Sequence, residues 1–161
     1  MKRKILFLVF IILALATALI FYLQKNKQPE ICLKSNCYFV EIARTQTERE
    51  RGLMDRNNLG KNEGMLFINE KEGIYPFWMK NVLIPLDIIW FNKSKEVVFM
   101  AIGAEPCKDE CQLIYPDQNA QYILEVNSGE INRMNLQLGN KAEFNIDRGR
   151  ASVSLSNLIK L

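Results

Sequence analysis

The sequence predicts a mainly β domain, a compact antiparallel sandwich or barrel with one or two short helices, preceded by one N-terminal transmembrane helix. Three observations support this fold class. Seven or so short β-rich segments follow one another, with turn residues between them. Only two short segments carry helical capping patterns. The long alternating helices that a parallel α/β fold requires are missing.

The N-terminal segment has the character of a membrane anchor. Residues 5–23 contain no charge and follow Lys2, Arg3 and Lys4. As a helix, this run spans roughly 28 Å, close to the ~30 Å hydrocarbon layer of a bilayer. The basic flank places the N-terminus in the cytoplasm and the rest of the chain outside it. We therefore expect an anchor over residues 1–24, a linker over 25–30 and a β domain over 31–161.

A cleaved signal peptide is the alternative interpretation of the same segment. Ala16-Thr17-Ala18 fits the small-x-small cleavage pattern, and cleavage there would release a secreted domain. Cleavage would, however, leave five apolar residues of the run at the mature terminus, which favours an uncleaved anchor. Both interpretations place the β domain outside the cytoplasm.

Four cysteines agree with an extracytoplasmic location, since an even number in an exported domain indicates disulfides. We expect the pairs Cys32–Cys37 and Cys107–Cys111, because the partners are close in sequence. The alternative is a four-thiolate zinc site. The cysteine spacings and an oxidising compartment both argue against it, so we expect no metal and no cofactor.

Charge and composition exclude several functions. The formal net charge is +3, and three positive charges lie in the N-terminal flank. The exported part is therefore close to neutral, which does not favour a nucleic-acid partner. Histidine is absent, which excludes Ser-His-Asp and Cys-His catalysis and any histidine-ligated metal.

The first elements of the domain are predicted by turn and capping patterns. Residues 31–43 form a hairpin around Lys34-Ser35-Asn36. Thr45 and Glu48 fit a capping box that begins a short polar helix. A loop follows, and residues 64–68 form the next strand.

The central stretch, residues 76–91 (PFWMKNVLIPLDIIWF), is an apolar run that begins with one proline and contains a second. Pro76 cannot donate to a strand ladder at the start, and Pro85 separates strands at 77–81 and 86–91. Residues 92–95 form a turn, and residues 96–104 form the following strand.

The last third of the chain begins with an irregular segment, residues 105–119, which a disulfide would tie down. Residues 120–126 form a strand. Asn127 and Glu130 suggest a second cap, followed by a helix over 130–138 that ends at Gly139. Residues 141–146 form the last clear strand, and 151–155 either add a short one or trail.

Five motifs occur in a specific order: GLMDR at 52–56, GMLF at 64–67, FWMKNVLIPLDIIWF at 77–91, PC with a second cysteine at 106–111, and YILEVNSG at 122–129. Over about residues 40–146 the chain resembles the domain of unknown function 192 family. The resemblance implies a compact, jelly-roll-like, often exported β domain, and no established activity. The family usually has threonine after the FWMKN asparagine, where this chain has Val82.

Polar residues inside the apolar motifs are the candidate site. These are Lys80, Asn81, Asp87 and Glu125, which Arg56 can join. A structural interpretation is that they satisfy one another, with Lys80 paired to Glu125 and Asp87 accepting from Asn81 or from backbone amides near Pro85. They then contribute to folding and not to a site.

A ligand-binding or accessory module of the cell envelope is the predicted function. Trp78 offers a flat apolar surface beside convergent polar groups, as in ligand pockets. The partner would be a small molecule, a glycan or a protein, the glycan by analogy with other jelly-roll domains. Strand alternation points Trp90 away from Asp87.

Two alternatives remain for the function. Asp87 and Glu125 are candidates for the carboxylate pair of a hydrolase that acts on envelope glycans. The second alternative is that the domain is a purely structural or interaction module.

Overall fold

The computed structural model describes residues 2–25 and 28–146. Helix α1 spans Lys2–Lys25, in agreement with the predicted N-terminal helix. Within the described residues, no helix meets the combined length and apolarity that crossing a membrane requires. Pro29–Ile146 form a separate compact unit. The predicted segment 151–155 lies outside the described residues.

The compact unit contains seven strands and two short helices, which confirms the prediction of a mainly β domain. The strands are β1 (Glu30–Leu33), β2 (Asn36–Ala43), β3 (Glu63–Gly73), β4 (Leu86–Phe91), β5 (Val97–Ala104), β6 (Ala120–Asn127) and β7 (Ala142–Asn145), and the helices are α2 (Gln46–Arg51) and α3 (Glu130–Met134). All seven strands belong to one sheet, in the order β5-β4-β6-β3-β2-β1-β7.

The sheet is not entirely antiparallel. Strands β2 and β3 pair in parallel, whereas the other neighbouring pairs are antiparallel. A parallel pair needs a crossover connection, and the segment that contains α2 provides it. The sequence predicted the capping box of α2 correctly: Glu48 N–H donates to Thr45 Oγ1 at 3.2 Å, and Thr45 N–H donates to Glu48 Oε2 at 2.9 Å.

The sheet curls as a half-barrel until its two edge strands meet at one end. Glu96, before β5, forms an antiparallel bridge with Lys141, before β7. Val97 N–H donates to Asn140 O at 2.9 Å beside this bridge. A single sheet that curls on itself replaces the two layers of a sandwich, because edge strands that meet bury backbone groups that would otherwise be unpaired.

Two hydrophobic cores cover the two faces of this sheet. The inner core contains residues from β1 to β7 and from α3, among them Leu66, Ile89, Phe91, Leu124, Val126 and Ile131. The outer core contains Phe67, Leu86, Ile88, Trp90 and Ile123. All six residues of β4 are consequently buried. The predicted alternation of β4, with Trp90 and Asp87 on opposite faces, is confirmed.

The predicted strand at 77–81 is wrong. This segment has only two isolated bridges, Phe77 to Ile114 and Lys80 to Cys107. Its last residue, Asn81, has a left-handed φ of 57°, which ends any extended conformation there. The segment lies across the outer core instead of in the sheet, while β3 continues to Gly73, past its predicted end at residue 68.

The second predicted cap is also wrong. Gly129 precedes α3, with φ of 94° and no side-chain cap. The Asn127 amide instead donates to the carbonyls of Leu59 and Gly60, at 3.1 and 3.0 Å. The helix ends at Met134, earlier than Gly139, because the left-handed Asn135 stops it.

The two disulfides are those predicted from sequence proximity. Cys32–Cys37 joins β1 and β2 next to their turn. Cys107–Cys111 closes the irregular loop that follows β5. These bonds also occupy the thiols that the alternative zinc site would need.

Candidate functional site

Phe77, in the part of the central stretch that precedes β4, covers the outer core. The ring of Phe77 lies edge-on to Phe67, with centroids 4.8 Å apart, and to Trp90, with centroids 5.6 Å apart. Trp90 is fully buried, and its indole N–H donates to Tyr75 O at 3.0 Å. Trp90 is therefore a core residue, and its indole is not free for a ligand.

Glu125 is a buried carboxyl group under this cover. It lies on β6, opposite Met65 of β3 and Ile88 of β4, so its neighbours across the sheet are apolar. The residue is 3% exposed, and Oε2 has no hydrogen-bond partner within residues 2–25 and 28–146. Burial raises its pKa to about 8, because an apolar environment disfavours the charged form. The neutral, protonated form of Glu125 is therefore favoured at neutral pH.

A small cavity lies beside Glu125. Its volume is about 30 Å³, enough for one or two water-sized groups. Its walls are Phe67, Phe77, Trp78, Lys80 and Val82, together with residues 49–54 of α2 and the following turn. A residue with an unpaired carboxyl oxygen and several aromatic side chains thus line the same cavity, the composition of a small ligand site.

Trp78 and Lys80 form the outer rim of the cavity. Trp78 is 43% exposed, and the Lys80 ammonium lies over its ring, 5.3 Å from the centroid. The expected ion pair between Lys80 and Glu125 is not among the salt bridges of the described residues. Lys80 lies over an aromatic face instead, and Glu125 forms no salt bridge with any other described residue.

Gly52 brings α2 close to the outer core and was not recognised as a site residue from the sequence. Its φ of 48° and ψ of −135° belong to a conformation that only glycine adopts readily. A Cβ atom there would lie 3.3 Å from the Phe67 ring. The motif GLMDR is a sequence pattern that indicates this turn, because a glycine directly after a short helix is typical of a helix end.

Asn81 acts through its backbone. Its side chain is exposed, and its left-handed φ of 57° explains the residue type. Its N–H donates to Cys107 O, and its carbonyl accepts from Asp55 N–H, both at 2.8 Å. Asn81 thus joins the disulfide loop to the turn after α2. The expected hydrogen bond from Asn81 to Asp87 is not formed, since Asp87 accepts from Gly103 and Ile131.

Asp87 lies on the inner face of the sheet. Its Oδ1 accepts from Gly103 N–H at 2.8 Å, and its Oδ2 accepts from Ile131 N–H at 2.7 Å. Asp87 faces Val126 across the strands, whereas Glu125 faces Ile88. Because neighbouring positions along a strand point to opposite faces, Asp87 and Glu125 do not line one pocket, and the expected carboxylate pair is not formed.

Arg56 belongs to a separate groove. It forms a bidentate salt bridge with Glu41, and the hydrogen bonds from Arg56 lower the Glu41 pKa. The groove has a volume of about 490 Å³, and Glu48, Arg51 and Asp55 also line it. Glu41 thus pairs the Arg56 charge within this groove, and Arg56 is not among the residues that line the cavity beside Glu125.

A buried polar cluster in the inner core was missed entirely by sequence reasoning. The Tyr38 hydroxyl donates to Glu130 Oε2, and the same carboxylate receives hydrogen bonds from Arg133. Burial and the neighbouring Glu130 carboxylate raise the pKa of Tyr38 well above its usual range. Arg133 also donates to Asn36 Oδ1 at 2.7 Å. These bonds attach α3 to the β1–β2 hairpin, a role in folding.

Comparisons with known proteins agree with this architecture. The model of the DUF192 family, described as Uncharacterized ACR, matches residues 30–144. A UPF0127 protein of Thermococcus sibiricus is 30% identical over 119 residues, 71% of each chain. A crystal structure of a protein of unknown function from Novosphingobium aromaticivorans has a TM-score of 0.65 and 32% identity, and covers 71% of this chain and 82% of the other.

A second crystal structure, from Sinorhizobium meliloti, is described as that of a candidate transcription regulator. Its TM-score is 0.66 at 27% identity, and the match covers 72% of this chain and 91% of the other. The family match extends over most of the compact unit, and the chain belongs to the domain of unknown function 192 family.

Proposed function

We propose that the compact unit is a ligand-binding or accessory module of the cell envelope, and that its ligand site is the cavity between Glu125 and Trp78. One observation carries the proposal: Glu125 borders a cavity, and its buried Oε2 has no hydrogen-bond partner among the residues that the structure describes. A buried polar atom without a partner costs about 1–3 kcal/mol. A ligand that hydrogen-bonds to it would recover part of this free energy.

The position of Trp78 supports the same site. Large aromatic side chains are usually buried, whereas Trp78 is exposed at the rim of the cavity. Its exposed ring provides an apolar contact surface next to the polar group inside the cavity. This combination suits a small molecule, one group of a glycan, or a side chain of a protein partner.

The hydrolase alternative receives no support from the geometry. Glycoside cleavage needs two carboxyl groups that converge on one bond. Asp87 and Glu125 face opposite sides of the sheet, and both Asp87 oxygens accept backbone hydrogen bonds. A binding role requires Glu125 alone.

The cellular location is part of the proposal. The uncharged run at 5–23, with its basic flank, would anchor the chain in the membrane with the compact unit outside the cytoplasm. Both disulfides are consistent with an oxidising compartment. The charge of this chain outside the N-terminal flank is near zero. A charge near zero does not favour the nucleic-acid binding that the regulator description of the Sinorhizobium protein would require.

Thermal unfolding of the full chain in detergent, with a panel of glycans, amines, carboxylic acids and peptides, tests the proposal. A ligand at 100 times its Kd stabilises the folded state by about 2.7 kcal/mol. We expect a shift in Tm for the wild-type chain that disappears in Glu125→Gln. Asp87→Asn is the control, because Asp87 lies on the other face of the sheet. This variant should unfold at a lower Tm than the wild type but retain the ligand-induced shift. Panel ligands that all leave Tm unchanged, or that act equally on Glu125→Gln, would contradict the proposed site.

A further inference from the structure

We infer that the group entering the cavity beside Glu125 is a primary ammonium, so that the module recognises amines or lysine side chains. This inference rests on the proposed binding function and specifies its ligand class. The evidence is the size of the cavity, the chemistry of its walls and the state of its one buried carboxyl group.

Size limits what can enter. A cavity of about 30 Å³ holds a group the size of one or two water molecules. A sugar ring or an indole is too large to enter it. An ammonium or a hydroxyl at the end of a narrow chain fits, while the rest of the ligand stays at the rim on Trp78.

The walls favour a cation over a neutral hydroxyl. Phe67, Phe77 and Trp78 contribute aromatic rings to the cavity, and aromatic faces attract cations. The rim already binds a cation of this kind, since the Lys80 ammonium lies 5.3 Å from the centre of the Trp78 ring. A ligand ammonium would make the same kind of contact with the aromatic rings of the cavity.

Glu125 supplies the specific partner. Its Oε2 is the buried oxygen without a hydrogen bond, and a carboxylate bonded to an ammonium makes a charge-assisted hydrogen bond. Because burial alone keeps the free carboxyl protonated, an entering ammonium would displace its proton. Binding near neutral pH should therefore release one proton to solvent.

The other charged groups around the cavity are Lys80, Arg49, Glu50 and Arg51. Arg49 is occupied, since its guanidinium donates to the backbone carbonyls of Arg44 and Ile68. Glu50 accepts a hydrogen bond from Gln46 at 2.8 Å. Lys80 and Arg51 are the remaining positive charges of the lining, and removal of the Lys80 charge should strengthen the binding of an amine and weaken the binding of an anion.

The experiment is an NMR titration of the ¹⁵N-labelled full chain in detergent, followed at the indole N–H of Trp78. The probes are propylamine, 1-propanol and propionate, which share a chain length and differ in the terminal group. We expect propylamine to shift the Trp78 signal, about a tenfold loss of affinity in Glu125→Gln, and a severalfold gain in Lys80→Gln. The affinity should rise about tenfold per pH unit up to pH 8, since only the deprotonated carboxylate binds.

The other outcomes of the titration distinguish failure of the ammonium inference from failure of the proposed site. If 1-propanol or propionate binds better than propylamine and needs Glu125, the ammonium inference is wrong while the proposed site stands. If none of the three probes shifts Trp78, the inference is also wrong, and the Tm panel judges the site independently. An affinity for propylamine that is unchanged in Glu125→Gln would overturn it as well.

Two further probes distinguish the source of the amine. A pentapeptide with a central lysine and its norleucine counterpart carry the same chain with and without the ammonium. Tighter binding of the lysine peptide than of propylamine identifies a protein or peptide partner. Equal binding identifies a free amine, and loss of binding with norleucine is expected in both cases.

Discussion

Asp87 and Glu125 occupy neighbouring strands, yet they face opposite sides of the sheet. Asp87 pairs with Val126 and Glu125 pairs with Ile88, so the register separates the two carboxyl groups by one residue. Asp87 accepts two backbone N–H groups in the inner core. Glu125 borders a cavity of the outer core, and its Oε2 accepts no hydrogen bond from the described part of the chain. The two most buried acids of the central motifs therefore have different roles, and variants of each should behave differently.

We predict that Glu125 makes stability depend on pH. Its pKa rises from 4.5 in the unfolded chain to about 8 in the folded protein, so its favourable contribution is complete below about pH 4.5 and is lost as pH rises through 8. The decrease should approach about 1.4 kcal/mol per pH unit within this window. Urea unfolding of wild type and Glu125→Gln at several pH values measures it. The variant should lose this slope, and equal slopes in both proteins would show that Glu125 is not the cause.

We predict that Asp87→Asn destabilises the fold by about 2–4 kcal/mol. Both carboxylate oxygens accept backbone N–H groups, from Gly103 and Ile131. An asparagine amide would leave one of these donors opposite another donor, in a buried place. Urea unfolding near neutral pH measures the loss, with Glu41→Gln as a control. Glu41 is in an exposed salt bridge, so its loss should cost about 1 kcal/mol or less.

We predict that Gly52→Ala costs more than Gly139→Ala. Both glycines have positive φ, 48° and 80°. A Cβ at position 52 would also press on the Phe67 ring at 3.3 Å, whereas no atom lies within 4 Å of one at position 139. We expect roughly 1 kcal/mol for Gly139→Ala and roughly 2–3 kcal/mol for Gly52→Ala, measured by urea unfolding. Equal losses would mean that backbone conformation alone sets the cost at both positions.

We predict that the two disulfides differ in their effect on ligand binding. The Cys107 backbone bonds to Asn81 and Met79, which flank Lys80 at the rim of the cavity. The Cys32–Cys37 bond joins β1 to β2, far along the chain from the rim residues. Replacing either pair by serine should cost about 2 kcal/mol in the chain-entropy model.

Only the Cys107→Ser/Cys111→Ser variant should also weaken the binding of whichever ligand the Tm panel identifies. The titration is made at a temperature where both variants remain folded. Equal affinities in the two double variants would contradict a role for the second disulfide in positioning the rim.

Local patterns predicted the elements whose cause is local. The apolar runs at 86–91 and 120–126, the capping box of Thr45 and Glu48, and the hairpin between Cys32 and Cys37 are all present as expected. Each depends on residues that are close in sequence, so propensity and periodicity contain the necessary information. The predicted strand at 77–81 is wrong, because its apolar residues cover a core from outside the sheet. Composition does not distinguish a strand of the sheet from a segment that lies across it.

The sequence by itself determined the β class of the domain, the disulfide partners, the opposite directions of Trp90 and Asp87, and the family. It also selected Glu125 and Trp78 as candidates, because a charged residue in an apolar strand and an aromatic residue beside polar ones can be recognised in the sequence. Only the tertiary structure decided that Glu125 lacks a partner, that Lys80 lies on Trp78 and that Asp87 belongs to the other face. Register, strand order and the path of the segment over the outer core set these contacts, and they depend on residues distant in sequence.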